Sequence, residues 1–504
     1  AANIVRSAIA LEAISDRQYV AIGDSARVNA TLYNRSRQTI TARPRVDGAL
    51  QAAVRVPSDS AYRWTYYVHG DRITQPWWLV TPRNGDLFSP PILAATPAMI
   101  ARGDFLATAE DVRDRGDEAA VLVEEAGEGA STPDITSPIV YRYADPVRGE
   151  VQRPLATAPA VSITLDNASE LARANTTLQR FFNVTLRSAK PAPMPVTVAL
   201  TLPNGLTADS ASRTVTVDSA GTRTVTFRVH GKLTPGVHEI AAKATMAGGG
   251  SSTTGYLPID YEHITPERMY RPATVALHAI DINVPSSLSV AYIRGVGDNV
   301  EPSLEQLGIP VTVITPRAIP TVDLSKFSTV VVGPRAYQAS EELIDNNPYL
   351  LSYAKNGGTL VVQYGQYEMT RPGMMPYAIS IARPHDRVTE EVAPITIIDA
   401  SSAAVTRPNA ISSSDFSGWV QERSLYMPRT FDAHYHPIVE LNDPGEPENK
   451  GGIIVTPYGR GLYVYTTLAF FRQLPAGVSG ATRLFVNLLS MTNGSATTKS
   501  AGGR

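Results

Sequence analysis

The first third of the chain alternates apolar and polar residues with the two-residue period of β-strands. The pattern is clearest at residues 26–33 and 139–143, and side chains two apart in a strand share one face. Near the start, residues 5–14 show the spacing of a short helix instead. Aromatic residues crowd between positions 62 and 88 and interrupt the alternation. We therefore predict a β-sandwich over residues 1–157 that carries an aromatic-rich insertion.

The most regular β pattern lies in residues 158–262. About seven alternating runs, each bounded by turn residues, fill about 100 positions, and this density is typical of an immunoglobulin-like or fibronectin-like sandwich. The chain has no cysteine, so it lacks the disulfide that pins antibody domains and the likeness is one of architecture. Pro266 and Pro272 mark the stretch that follows, and we interpret residues 263–275 as a linker.

The hydrophobic period changes after this linker. Val300, Leu304 and Leu307 share one helix face, and a glycine follows as a stop signal. Short continuous apolar runs alternate with such helical stretches, as in a parallel sheet covered by helices on both faces. We predict a Rossmann/flavodoxin-like α/β domain over residues 276–495 and a disordered tail over 496–504. The predicted fold class is therefore multidomain, with two β-sandwiches followed by an α/β domain.

Composition narrows the function classes. Lys and Arg number 45 against 47 Asp and Glu, a formal net charge of −2, so no strong field favours nucleic acid. The absence of cysteine excludes disulfides and thiolate chemistry and fits an extracytoplasmic location. No apolar run approaches the ~20 residues of a membrane span. The chain starts at Ala1 without a Met or an apolar signal core, which indicates a processed product or a fragment.

Three strings in the last third carry a resemblance to a known family. They are Trp419-Val420-Gln421-Glu422-Arg423, Asn442-Asp443-Pro444-Gly445-Glu446 and Ala469-Phe470-Phe471-Arg472-Gln473-Leu474-Pro475-Ala476-Gly477. They resemble the C-terminal region of large secreted bacterial proteins of the LmbE/PIG-L type, which are zinc N-deacetylases, and the resemblance extends over almost the whole chain. The family's catalytic domain opens on an Ala-His-Pro-Asp-Asp-Glu motif that binds zinc. That motif is absent here, and the nearest string, Pro384-His385-Asp386-Arg387, lacks the second Asp and the Glu.

This resemblance implies a non-catalytic, carbohydrate-associated accessory region whose parent deacetylates N-acetyl sugars. It implies no cofactor in this chain, because zinc is expected only in the missing deacetylase domain. Residues 355–360, Lys-Asn-Gly-Gly-Thr-Leu, are similar to the helix-to-strand turn of class I glutamine-amidotransferase-like domains. Glutaminase chemistry needs a cysteine nucleophile, so the α/β domain is expected to lack catalytic residues. No metal site is predicted either.

Two groups of residues are candidates for ligand binding. In an open parallel sheet the ligand crevice lies beyond the carboxyl ends of the strands, and polar residues there could bind a ligand or pair with one another. These residues are Gln363, Tyr364, Trp419, Glu422, Arg423, Arg472 and Gln473. Aromatic residues of the first domain could stack on sugars or pack in the core. These are Trp64, Tyr66, Trp77 and Trp78.

Three functional classes stay open. The first is the accessory or glycan-binding module, with glycans or a catalytic deacetylase domain as partners. The second is an enzyme whose site uses Glu422, Arg423 and His385 in the α/β crevice. The third is a structural or assembly protein of the cell surface or an extracellular filament, in which the sandwiches mediate self-association. Exposed flat rings favour the first class, a perturbed carboxylate in the crevice favours the second, and a free strand edge favours the third.

Overall fold

The computed structural model describes residues 8–76, 79, 118–124 and 135–493. Within these ranges the chain is β-rich, and its strands form several separate sheets. No helix among the described residues is long and apolar enough to cross a membrane. The predicted tail at 496–504 and most of the predicted aromatic-rich insertion lie outside the described residues. For description we divide the strands, in chain order, into three segments.

The first segment is built around one large sheet. Its strands are β1 (Ile9–Ser15), β2 (Tyr19–Ala21), β3 (Ser25–Asn34), β4 (Ile40–Val46), β5 (Ala49–Leu50), β6 (Val54–Val56), β7 (Ser60–His69), β8 (Glu118–Glu124), β9 (Ile135–Asp145), β10 (Gly149–Pro154) and β11 (Ala156–Ala158). The described strands run in the order β5-β4-β8-β9-β1-β3-β7, with β10 on β9 and β6 on β4. Strands β2 and β11 pair separately.

The prediction of a helix over residues 5–14 is wrong for the described part of that stretch. Strand β1 there pairs antiparallel with β3 and parallel with β9. Its Ile9 and Ala13 are buried in the cores of the segment. Because the strand is hydrogen-bonded on both sides and packed through these residues, sheet pairing overrides the local helical spacing.

The second segment has two main sheets packed around one core and a third sheet of two strands. Its strands are β12 (Val161–Leu165), β13 (Ser169–Arg173), β14 (Leu178–Ser188), β15 (Met194–Thr201), β16 (Leu206–Ala208), β17 (Arg213–Val217), β18 (Thr222–Gly231), β19 (Gly236–Met246), β20 (Ser251–Ser252), β21 (Thr254–Ile259), β22 (Glu267–Pro272) and β23 (Thr274–Ile280). One sheet has the order β12-β14-β18-β16 and the other β13-β23-β19-β15-β17. Val184 and Phe227 of the first sheet share a core with Ile240 of the second.

The stretch predicted as a linker, residues 263–275, contains regular structure. Strand β22 pairs with β21, and β23 pairs with both β13 and β19. The sheets of the second segment therefore extend to Ile280, beyond the predicted end at residue 262. Pro272 lies at the last position of β22, where a residue without an N–H group is tolerated in a two-stranded pair. The prolines thus mark strand ends.

The third segment combines ten strands with six short helices among its described residues. The strands are β24 (Val290–Ile293), β25 (Val311–Val313), β26 (Thr329–Val332), β27 (Thr359–Gln363), β28 (Ile379–Val388), β29 (Ile395–Ile397), β30 (Ser424–Phe431), β31 (His436–Leu441), β32 (Asn449–Tyr458) and β33 (Gly461–Thr466). The helices are α1 (Val300–Gln306), α2 (Ala336–Ala339), α3 (Glu341–Lys355), α4 (Ala403–Thr406), α5 (Phe470–Gln473) and α6 (Ser479–Ser490). Shorter 3-10 turns lie at Pro316–Thr321, Leu324–Lys326, Tyr367–Thr370 and Ser413–Phe416.

One eight-stranded sheet organises the third segment, in the order β25-β24-β26-β27-β33-β32-β31-β29. Neighbours from β25 to β33 are parallel, and those from β33 to β29 are antiparallel. Successive residues face opposite cores, so Val331 belongs to one core and Val330 to the other. This two-sided burial explains the continuous apolar runs of the sequence. Val300 and Leu304 lie in α1 and are buried, as their spacing predicts.

The second and third segments are joined by shared packing. Leu171 and Ile280 of the second segment belong to the same hydrophobic core as the strands of the third. The side-chain oxygen of Gln306 in α1 accepts the backbone N–H of Leu171 at 2.8 Å. Beside it, Arg180 and Glu170 form an ion pair at 2.9 Å. These contacts fix the sheet of the third segment against the second.

Candidate functional site

Four parallel strands of the third segment end side by side. In the order β24-β26-β27-β33 they stop at Ile293, Val332, Gln363 and Thr466. We call this row of strand ends and the loops that follow it the carboxyl edge. Ligands of open parallel sheets bind beyond such an edge. It is the part of the fold where the sequence predicts a ligand site.

Four flat rings form a column at the carboxyl edge. Tyr364, which follows β27, stacks on Tyr426 of β30 with 6.2 Å between ring centroids and 8° between planes. His385 stacks on Tyr426 at 3.8 Å and 4°, and Phe471 of α5 meets Tyr364 at 6.0 Å and 43°. We call these four residues the ring column. Tyr364 is buried and the other three are half-buried, so the column reaches the surface.

An irregularity in the pairing of β28 with β30 positions this column. The register shifts between Ile381 and Asp386 and again before Val388. Tyr426 has a φ of 51°, in the left-handed region that residues other than glycine seldom adopt. Bulged strands re-aim their side chains and are frequent beside functional sites. The amino-acid pattern gives no sign of this bend, and so the column was missed as a unit, although Tyr364 was a candidate.

An ion pair and a buried amide tie the loop before β30 to α5. Arg472 Nε lies 2.5 Å from Glu422 Oε1, and both side chains are partly exposed. Gln473 is fully buried, donates to the carbonyl of Val420 at 2.9 Å and accepts the N–H of the same residue at 2.8 Å. It also donates to the carbonyl of Glu422 at 3.2 Å. These predicted residues pair with one another, which is the second alternative that the sequence left open.

Trp419 and Arg423 lie in the interior beneath this loop. Trp419 packs between Phe416 and Phe470 and donates its Nε1–H to the carbonyl of Asp415 at 3.0 Å. The guanidinium of Arg423 lies 5.8 Å from the Trp419 ring and donates to the carbonyl of Phe416 at 2.6 Å. Burial lowers the pKa of Arg423. We call Trp419, Arg423 and Gln473 the buried layer.

Gln363 belongs to a separate buried network at the same edge. Its Nε2 donates to the hydroxyl of Tyr292 at 2.9 Å, and that hydroxyl donates to the carboxylate of Asp298 at 3.0 Å. The backbone N–H groups of Gly295 and Val300 also donate to Asp298. Burial raises the pKa of Asp298 in spite of these bonds. The sequence predictions missed Tyr292 and Asp298, because only the packing brings them to Gln363.

The seven predicted residues therefore divide by depth. Glu422 and Arg472 are partly exposed beside the buried Tyr364, and burial together with the negative Glu422 raises the pKa of Tyr364 to about 12. The buried layer and the network around Gln363 are interior. An added Cβ on Gly333 would approach Asp298 Oδ2 to 2.1 Å, so the loops above Gln363 are closely packed. The chemistry at the surface of the carboxyl edge is that of rings and arginines.

The predicted sugar-stacking residues of the first segment, unlike the ring column, pack against hydrophobic cores where the structure describes them. They are Trp64 and Tyr66, both on β7, and Trp77 and Trp78, which lie outside the described residues. Trp64 stacks on Tyr62 at 5.7 Å and 20°, and both pack half-buried against a core of the first segment. Tyr66 packs against the neighbouring core. The described pair thus contributes to core packing, as the second interpretation of the sequence expects.

A second imidazole–phenol stack lies just before the start of β31. His434 stacks on Tyr377 at 4.1 Å and 6°. Its Nδ1 lies 2.6 Å from Asp432, and the hydrogen bonds from the backbone and side chain of His434 lower the pKa of Asp432. Across the described ranges no three His, Asp or Glu side chains are grouped to hold a metal ion.

A polar groove of about 810 Å³ begins directly after His385 in the chain. Its walls include Asp386, Arg387, Arg429 and Glu446. Arg387 pairs with Glu446 at 2.8 Å and Arg429 pairs with Asp386. Its charges are therefore largely neutralised within the described residues.

Comparisons with known proteins give no family. No family model and no curated protein matches the sequence. Among solved structures, an exo-β-1,4-mannosidase from Opitutaceae bacterium strain TAV5 is 11% identical, covering 41% of this chain and 35% of its own, with a TM-score of 0.25. A Salmonella α-2-macroglobulin reacted with methylamine is 9% identical, with coverages of 54% and 16% and a TM-score of 0.19. A FixG-related protein from Vibrio parahaemolyticus is 8% identical, with coverages of 19% and 91% and a TM-score of 0.16. These likenesses carry no function to the chain.

Proposed function

We propose that this chain is a non-catalytic, carbohydrate-associated accessory region of an extracytoplasmic deacetylase of the PIG-L type. In this proposal the first two segments are immunoglobulin-like sandwiches, and the third is a Rossmann/flavodoxin-like, amidotransferase-like domain without its nucleophile. The support is the resemblance of the last third of the sequence, together with the run of parallel strands from β25 to β33. Its partners would be glycans and the catalytic domain of the parent protein.

The observation that carries the proposal is the ring column at the carboxyl edge. Sugars present apolar C–H faces that stack on flat aromatic rings, while their hydroxyl groups need polar neighbours. His385 ends the column half-buried, and its stack on Tyr426 at 3.8 Å holds the imidazole flat. Glu422 and Arg472 beside Tyr364 supply polar groups. The column therefore combines the two features that a sugar site requires.

The arrangement of the residues favours binding over catalysis. A general base must lie within hydrogen-bond reach of the group that it activates. His385 is engaged with Tyr426, Glu422 with Arg472, and Arg423 with the carbonyl of Phe416. The three residues named for an enzyme thus contact three different partners. We expect the purified chain to release no acetate from N-acetylglucosamine conjugates and no ammonia from glutamine, and zinc-dependent turnover above a heat-treated control would contradict this.

Affinity electrophoresis of the purified chain in gels that contain chitin fragments, peptidoglycan fragments, mannan or polygalacturonate tests the proposal. At least one polysaccharide should retard the chain, and His385→Ala should weaken that retardation about tenfold, the size expected for a lost stacking contact. Tyr349→Ala is the matched control, because Tyr349 is an exposed ring on α3 with 51% of its surface accessible. Migration unchanged by every polysaccharide, or equal loss in both variants, would overturn the proposal.

A further inference from the structure

Two arginines that have no acidic partner among the described residues flank the ring column. The guanidinium of Arg383 lies 3.8 Å from the centroid of Tyr367, and Tyr367 meets Tyr426 edge-on at 5.8 Å. Arg335 follows β26, and its backbone N–H donates to the carbonyl of Tyr364 at 2.7 Å. Its side chain donates to the neutral amide of Gln338 at 2.6 Å. Among the described residues, neither arginine forms an ion pair.

The carboxylates near the column are already engaged. Glu422 is paired with Arg472. Glu368 is 9% exposed and accepts the backbone N–H of Gln366 at 2.8 Å. On the far side of His385, the carboxylate of Asp386 pairs with Arg429. Among the described residues, Arg383 and Arg335 therefore stay without an ion pair at the column, while the nearest carboxylates are paired with arginine or buried.

The exposed position of Arg383 suits it to a ligand. Arg383 is exposed and lies against the face of a half-buried ring. A guanidinium over a ring keeps its N–H groups at its own edge, where they can donate in parallel to a carboxylate. Such charge-assisted, bidentate bonds are among the stronger polar contacts in proteins. A ligand with a flat C–H face and a carboxylate would engage the column and the arginine together.

We propose that the ring column binds an acidic polysaccharide built from uronic acid residues, with a sugar face on His385 at the end of the column and the carboxylates on Arg383 and Arg335. This inference rests on the proposed glycan-binding function and names its ligand class. The stack of His434 on Tyr377 offers an internal contrast, since the carboxylate that contacts that imidazole, Asp432, is negative. That second stack would repel the same ligand.

Titration calorimetry with polygalacturonate, and with the same polymer after its carboxyl groups have been reduced to alcohols, tests the inference. The chain should bind the acidic polymer at least tenfold more tightly than the reduced one. Arg383→Gln should remove most of that difference and weaken binding of the reduced polymer much less, because an alcohol accepts only an ordinary hydrogen bond from arginine. Arg228→Gln is the control, because Arg228 is an exposed arginine on β18 of the second segment.

The possible failures are distinguishable. Equal binding of the acidic and reduced polymers would overturn the acidic preference and leave glycan binding in place. Binding of neither polymer, nor of any other polysaccharide tested, would overturn the proposed function itself. Equal loss in Arg383→Gln and Arg228→Gln, or equally tight binding of single-stranded DNA, would show a general attraction of anions and contradict a built site.

Discussion

Two of the arginine–aromatic pairs in the third segment have a similar composition and opposite surroundings. Arg423 is 4% exposed and lies 5.8 Å from the Trp419 ring, whereas Arg383 is exposed and lies 3.8 Å from the Tyr367 ring. The buried pair is fixed by hydrogen bonds to backbone carbonyls. Within the described part of the chain, the guanidinium of Arg383 has no such bond. Burial therefore separates an arginine that stabilises the fold from one that is available to a ligand.

The largest expected effect is at Arg423. Arg423→Ala leaves the carbonyl of Phe416 without its donor and opens a cavity beneath Trp419, so we expect a loss of about 3 kcal/mol in the free energy of unfolding. Arg423→Met keeps most of the volume and removes a buried charge that forms no ion pair among the described residues, so it should cost about 1 kcal/mol. Urea denaturation measures both. Equal losses in the two variants would show that packing contributes little here.

Gln473 and its neighbour Arg472 give a second contrast, between a buried and a partly exposed side chain. Gln473→Ala removes three hydrogen bonds to the backbone of Val420 and Glu422, and we expect a loss of about 2–3 kcal/mol. Arg472→Ala breaks an ion pair that solvent reaches, and about 0.5 kcal/mol is the expected cost. Thermal unfolding of the two variants under one condition checks the order. The reverse order would contradict the assignment of Gln473 to the buried layer.

Several of the strands and helices that produce this contrast could be predicted from the sequence. Continuous apolar runs predict β26 and β27, because both faces of these strands are covered, and the spacing of Val300 and Leu304 predicts α1. The local sequence pattern gave the wrong prediction where pairing with distant strands determines the structure. Strand β1 has helical spacing but lies between two strands, and β22 ends on a proline but still pairs with β21.

The candidate site was predicted only in part, for the same reason. Tyr364 and the loop before β30 are recognisable as residues near strand ends. His385 meets Tyr426 because β28 pairs with β30 in a shifted register and because Tyr426 adopts a positive φ. Neither feature has a signature in the amino-acid order. The resemblance to a deacetylase family names residues in the loop, but it does not separate those that are buried from those that are exposed.

Asp298 is a third buried polar group, and its contribution to stability depends on pH. Burial raises the pKa of Asp298, so the folded chain keeps this proton to higher pH than the unfolded chain. The stability that Asp298 contributes is therefore present at low pH and is lost as the pH rises through its folded pKa. Asp298→Asn should remove that loss, and denaturation of both proteins from acidic to neutral pH measures it. A difference between them that is constant with pH would contradict the shift.

The smallest effect on stability is expected at the two arginines that flank the ring column. Arg383→Gln and Arg335→Gln should each change the free energy of unfolding by less than about 0.5 kcal/mol, since neither arginine has an ionic partner among the described residues. Thermal unfolding of the two variants beside the parent chain checks this. A loss of several kcal/mol at Arg383 would show that it belongs to the fold, as Arg423 does.

The most direct test of this division measures ligand binding and stability together in Arg383→Gln and Arg423→Ala. Calorimetry with polygalacturonate and thermal unfolding are applied to both variants and to the parent chain. We expect Arg383→Gln to lose at least tenfold in affinity with an unchanged melting temperature, and Arg423→Ala to melt earlier while the part that stays folded keeps its affinity. Loss of affinity and stability in parallel in both variants would contradict the account.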